Sequence, residues 1–173
     1  LTQGLVQIYT GNGKGKTTAA VGLAVRALGQ DLRVLLARFL KPHEPVSGEV
    51  LFLREAPNLE ILTAGVGIVG RRPDLEEVRR SVGAAFDEVR DRIDRRTADL
   101  VVLDEINNVL HHGYLPLEEF LDFIDNRPAG VELVLTGRNA PDEVLERADL
   151  VTRMEPLKHP LQAGIAARRG IEY

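Results

Sequence analysis

The sequence predicts an α/β protein built on a mostly parallel sheet with helices on both faces. Two observations carry that expectation. Short, near-continuous apolar runs recur along the 173 residues, which is how strands buried on both faces read, without the alternation of a half-solvated strand. Amphipathic stretches separate these runs, and strand and helix in alternation imply parallel strands joined by helical crossovers.

Taken in order, Leu5–Tyr9 is a short β-rich run followed at once by glycines, and Thr17–Gly29 is an Ala- and Leu-rich helix with a glycine stop. Arg33–Leu40 and Leu59–Leu62 are the next strands, followed by Leu100–Leu103, Val131–Thr136 and Leu150–Met154. The clearest helix is Asp74–Arg96, where Leu75, Val78, Val82, Phe86, Val89 and Ile93 recur every three or four residues. Acids and arginines fill its opposite face, the pattern of a solvated surface. A further helix is predicted over Leu117–Asn126, ending before Pro128, and another starts near Pro141 with Val144 and Leu145. Lys41–Gly48 and the glycine-rich Ala64–Pro73 fit neither pattern. Unassigned loops of this kind in an α/β protein are where ligands usually sit.

Length and composition bound what such a chain does. At roughly 100–200 residues per domain, residues 1–173 are expected to form a single domain. The absence of cysteine excludes a disulfide framework, thiolate metal sites and cysteine nucleophiles. A net charge of −4 and only 5% aromatic residues give no support for a nucleic-acid partner. No apolar run approaches the roughly 18 residues that cross a bilayer. No secretory signal opens the chain either, so a cytoplasmic protein with no membrane partner is expected. With Leu1 in place of Met, a trimmed or incompletely given N-terminus is expected.

The strongest chemical signal is Thr10-Gly11-Asn12-Gly13-Lys14-Gly15-Lys16-Thr17-Thr18. It follows a predicted strand and opens a predicted helix, the context that makes a P-loop. Its glycines let successive backbone N–H groups face phosphate oxygens, and the helix N-terminus adds a favourable field. Lys16 supplies a mobile positive charge, and the Thr17 hydroxyl is placed to ligate Mg²⁺. Lys14 lies inside the same loop and is a further candidate phosphate ligand. The loop is a variant, because Thr10 stands where the usual pattern begins with glycine.

A second signal is Val101-Val102-Leu103-Asp104-Glu105, an apolar strand ending in two acids, which reads as a Walker B element. One carboxylate would hold Mg²⁺ directly or through water, and its neighbour would orient water or another ligand. Arg138, after Thr136-Gly137, is a candidate to reach a phosphate. His111 and His112 are adjacent and point in different directions on a helix, so surface or structural roles are expected of them. These residues define an Mg²⁺-nucleotide-binding P-loop protein. They do not say what happens to the nucleotide.

Four stretches resemble the ATP:corrinoid adenosyltransferases of the CobA/BtuR/CobO type. They are Thr10–Thr18, Phe39–Glu49, Val101–Glu105 with the following Tyr114–Glu119, and the tail Pro156–Tyr173. The resemblance implies a RecA-like P-loop fold and a homodimeric enzyme that transfers the 5′-deoxyadenosyl group of ATP to the cobalt of a reduced corrinoid, releasing triphosphate. It implies an electron donor that reduces Co(II), and a triphosphate lying opposite to the usual P-loop sense. By the same resemblance, Gly11 to Thr18 and Arg138 bind ATP, Lys16 and Glu105 act in catalysis, and Thr17 and Glu105 hold Mg²⁺ with Asp104 behind them. The other readings are a P-loop ATPase or kinase, and a non-enzymatic sensor of ATP or corrinoid.

One loop departs from the pattern. Well-known enteric members carry Gly-Phe-Thr-Trp after the third strand, aromatics thought to displace the lower ligand of cobalt. Here Gly65 is kept and Val66, Gly67 and Ile68 follow, so two aromatic wedges become aliphatic. Gly65, Val66 and Ile68 are the expected corrinoid-facing residues. The N-terminal extension that covers the corrinoid in some members is absent or not included.

Overall fold

A computed structural model describes residues 1–41, 46–64 and 74–172, apart from the side chain of Leu161. Six strands form its centre: β1 (Val6–Thr10), β2 (Val34–Phe39), β3 (Leu59–Ala64), β4 (Leu100–Asp104), β5 (Glu132–Thr136) and β6 (Leu150–Arg153). Their order across the sheet is β3-β2-β4-β5-β1-β6, and every pairing is parallel. This bears out the α/β class and its RecA-like arrangement. Helices α1 (Lys16–Leu28), α2 (Gly48–Leu53), α3 (Leu75–Asp94), α4 (Ile106–His111), α5 (Leu117–Asn126) and α6 (Asp142–Leu145) make the connections.

The central strands bury every residue, Val34–Phe39 in β2 and Leu100–Asp104 in β4. Alternate side chains go to opposite layers, as the pleat requires. Leu35, Ala37 and Phe39 join the larger core with Val78, Val82 and Phe86 of α3. Val34 and Leu36 join the smaller one with Ala20, Ala24 and Ala27 of α1. Alanine at those positions lets α1 lie close on the sheet, and that fixes the P-loop at its N-terminus. Phe86 anchors the other layer, its ring centroid 5.0 Å from Phe123 and 5.8 Å from Phe120. The Asp74 side chain caps α3 by accepting from the Glu76 N–H at 3.0 Å.

Three features differ from expectation. Strand β6 is exposed at all four residues, because it pairs only with β1 at the sheet edge. The helix near Pro141 is only four residues long. Helix α2 begins at Gly48, the last residue of the unassigned Lys41–Gly48 stretch, and runs on through residues for which no element was predicted, being too short to display a period. Gly65, Val66 and Ile68 lie outside the described residues. Among the described residues no helix is long and apolar enough to cross a membrane.

Parallel strands put all their C-terminal ends on one edge, and in open α/β sheets that edge is where ligands bind. Here it carries the P-loop after β1, Lys41 just beyond β2, Asp104 and Glu105 at the end of β4, and Thr136 at the end of β5. Strand β5 lies between β1 and β4, so its last residue stands between the P-loop and the acids.

Candidate active site

The P-loop is shaped by glycines whose backbone other residues could not adopt. Gly11 has φ 93° and Gly15 φ 114°, both in the region favouring glycine. A Cβ on Gly11 would also fall 2.4 Å from the Met154 carbonyl oxygen. Gly15 is the N-cap of α1 and brings no side-chain cap, and the first turn holds no acid. The N–H groups of that turn therefore remain free for an anion, in the favourable field of a 13-residue helix. Not every loop amide is free: the Gly13 N–H donates to the Met154 carbonyl at 2.7 Å.

Lys16 is buried and curls back over this loop, donating to the carbonyls of Gly11 at 2.8 Å and Gly13 at 2.7 Å. Burial lowers the pKa of its ammonium, and Arg138 adds to the effect, while Glu105 and Asp104 oppose it. The Thr17 hydroxyl donates to Asp104 Oδ1 at 2.7 Å, tying P-loop to acid strand across 87 residues of sequence. With its proton directed at Asp104, the Thr17 oxygen keeps its lone pairs for a ligand.

Asp104 is fully buried. Its Oδ1 also accepts from the Thr136 hydroxyl at 2.6 Å, and the same Thr136 oxygen accepts from the Glu105 N–H at 2.9 Å. Glu105 sits at φ 66°, a conformation non-glycine residues rarely hold, and this turns its carboxylate out over the edge as α4 begins. The Asn108 amide donates to Glu105 Oε2 and accepts from the Arg138 N–H at 3.0 Å. Lys41 Nζ lies 3.4 Å from Glu105 Oε1 and 3.9 Å from Asp104 Oδ2.

Whether Mg²⁺ suits this edge is decided by its donors. Asp104 Oδ2 is buried with no hydrogen-bond partner among the described residues, and the Thr17 oxygen and the Glu105 carboxylate lie on the same edge. No group of three or more His, Asp or Glu among the described residues could cage an ion. That sparse oxygen set fits Mg²⁺, which keeps its waters and binds through one or two carboxylates plus substrate phosphates.

Above these groups opens a cleft of about 750 Å³. The P-loop, Lys41, Glu105 and Arg138 line one side of it, and Ile165, Ala167 and other residues of the C-terminal tail line the other. Lys14 crosses to that tail, with Nζ 3.1 Å from the Ile171 carbonyl and 2.7 Å from Glu172 Oε1. His111 and His112 pack ring against ring at 5.1 Å, and His112 also faces the cleft.

Over residues 2–173 the chain matches the family model described as ATP:corrinoid adenosyltransferase BtuR/CobO/CobP. The chain belongs to this family. The corrinoid adenosyltransferase of Pseudomonas aeruginosa is 36% identical over 171 residues, spanning 99% of this chain and 84% of its own. That of Escherichia coli is 34% identical over 171 residues, spanning 99% and 86%. A Sinorhizobium relative of the same description is 32% identical over 173 residues, spanning 99% and 81%.

The fold brings Gly11 to Thr18, Asp104, Glu105 and Arg138 to one edge. Three of the groups that organise this edge carry no role in the sequence reading: Lys41, Asn108 and Thr136. Lys41 falls in a stretch that resembles the family, and the place of Lys41 and Thr136 at or just after a strand end is the signal that could have found them.

Proposed function

We propose that this protein transfers the 5′-deoxyadenosyl group of ATP to the cobalt of a Co(I) corrinoid and releases triphosphate. The observation that carries the reading is the Thr17–Asp104 hydrogen bond of 2.7 Å in a member of this family, which joins the phosphate loop to the acid pair. The cobalt electron pair forms the bond to C5′, and the C5′–O5′ bond breaks with its electrons leaving on triphosphate. No protein nucleophile is needed. The chain must hold cobalt and C5′ in line and stabilise charge growing on the leaving oxygens.

In this reading the free amides opening α1, with Gly11, Asn12, Gly15, Lys16, Thr17 and Thr18, receive the phosphates. Gly13 shapes the loop, and Lys14 and Arg138 add positive charge at the cleft. Thr17 and Glu105 would hold Mg²⁺, with Asp104 behind them, its Oδ1 fixing Thr17 and its buried Oδ2 turned to the ion through water. When bound, the ion neutralises charge on the triphosphate as it leaves. Gly65, Val66 and Ile68 face the corrinoid. The chain acts as one domain within a cytoplasmic homodimer, and a separate electron donor supplies Co(I).

Incubation with chemically generated cob(I)alamin and Mg-ATP tests the reading. The expected result is the spectrum of a cobalt–carbon bond together with one inorganic triphosphate per corrinoid. Release of phosphate or diphosphate instead, with no cobalt–carbon bond, would point to an ATPase or kinase and overturn it.

A further inference from the structure

Lys41 has no part in the reading above, yet it faces both acids of the site. Its ammonium lies 3.4 Å from Glu105 Oε1 and 3.9 Å from the buried Asp104 Oδ2. No other Lys or Arg forms an ion pair with either acid among the described residues. Nor is the position a loose surface contact. Lys41 comes one residue after β2, a fully buried strand between β3 and β4, and the intervening Leu40 holds φ 57°. A non-glycine residue in that conformation at a strand end marks a backbone held by its surroundings. The two oxygens Lys41 faces are the ones a divalent ion would also draw on, since Asp104 Oδ1 is already bonded to Thr17 and Thr136.

We infer that Lys41 is a built-in counter-ion of the Asp104–Glu105 pair, which a divalent ion displaces as it binds and which then turns to the triphosphate. This rests on the proposed function for the identity of the triphosphate, but not for the metal exchange. One ammonium and one divalent ion cannot share the same two carboxylate oxygens without strong repulsion. The displaced side chain stays in the same cleft, where Lys14, Lys16 and Arg138 already converge. Lys41 thereby keeps the acids from repelling each other when no ion is bound, and adds positive charge where the leaving group needs it. Metal and triphosphate loading become coupled through one side chain.

Mn²⁺ binding to the full chain without nucleotide, followed by electron paramagnetic resonance, tests the exchange. Lys41→Met keeps an unbranched side chain one atom shorter and removes its charge, and Lys41→Arg keeps the charge. Lys41→Met is expected to bind Mn²⁺ about tenfold tighter than the parent, as loss of one competing charge at this distance implies. Lys41→Arg should stay near the parent. In calorimetry, inorganic triphosphate with Mn²⁺ saturating should bind Lys41→Met several-fold more weakly than the parent. Equal or weaker Mn²⁺ binding by Lys41→Met would overturn the counter-ion role. Unchanged triphosphate binding would overturn the hand-over, and no Mn²⁺ binding to either protein would overturn the metal site. None of these readouts uses a corrinoid, so a failed adenosylation assay leaves them decisive.

Discussion

Lys16 shows how much of the site depends on single atoms. Its ammonium is buried, yet its bonds are to two carbonyls of its own loop, Gly11 and Gly13, and to no carboxylate among the described residues. A group so placed exchanges neutral partners for phosphate oxygens. Lys16→Ala should therefore remove a charge-assisted contact worth about 1.5–3 kcal/mol from Mg-ATP binding. Calorimetric titration of Mg-ATP into folded variant and parent measures it, and equal affinities would remove Lys16 from the phosphate site. Lys16, Thr17, Asp104 and Glu105 were all legible in the sequence, because their motifs are contiguous and sit at strand ends. Thr136, Asn108 and Lys41 were not. Their roles come from contacts across 32 residues for Thr136 with Asp104, 30 for Asn108 with Arg138 and 64 for Lys41 with Glu105; a strand end can mark a position, but no local pattern encodes such pairs.

Among elements, legibility followed length and burial. Helix α3 could be read because five buried apolar residues repeat along 20 positions and Asp74 caps it. Helices α2 and α4, six residues each, are too short for a period and owe their existence to packing. Strand β6 kept its identity but lost the burial its apolar character suggested, since only β1 pairs with it. The entries of β2 and β4 into the sheet are joined by a pair outside any motif: Asp99 accepts from Arg33 Nε at 3.0 Å, from Arg33 Nη2 at 2.8 Å and from the Arg33 backbone N–H at 2.9 Å. The Arg33 guanidinium holds the Asp99 carboxyl at about 2, well below its ordinary value of 3.8. A folded-state pKa depressed in this way gives stability that is present above the unfolded value and lost as pH falls through about 2. The pair lies at the surface, half-exposed on the Arg33 side, so Asp99→Asn should cost only about 1 kcal/mol at neutral pH. Urea unfolding at successive pH values checks this. The gap between parent and variant should close between the unfolded and folded pKa, and a gap that persists at the acid end would show that the charge contributes nothing.

For the whole molecule, the C-terminal tail returns the chain to its beginning. Met154 is pinned along the P-loop, its N–H donating to the Thr10 carbonyl at 2.9 Å and its carbonyl accepting from the Gly13 N–H at 2.7 Å. The tail then comes back over the cleft and ends with Glu172 on Lys14, a 2.7 Å ion pair. Glu172 is held in place by Arg168, which donates to it from its backbone N–H at 2.7 Å and from its guanidinium at 3.1 and 3.2 Å. Arg168 first, and Lys14 second, hold the Glu172 carboxyl down at about 2, so it is fully charged at any working pH. A fixed carboxylate on Lys14 competes with any phosphate for the same ammonium. Glu172→Gln keeps the shape of the side chain and removes that competitor, so inorganic triphosphate should bind the variant a few-fold more tightly. Both partners are exposed enough for salt to screen them, so the gain should shrink as ionic strength rises past physiological levels. Titrations at low and high salt separate the possibilities: a gain at low salt that fades at high salt is the expected result. Weaker binding at both would mean that Glu172 orders the tail over the triphosphate rather than contesting Lys14 with it, and the ion pair would then be part of the closed site.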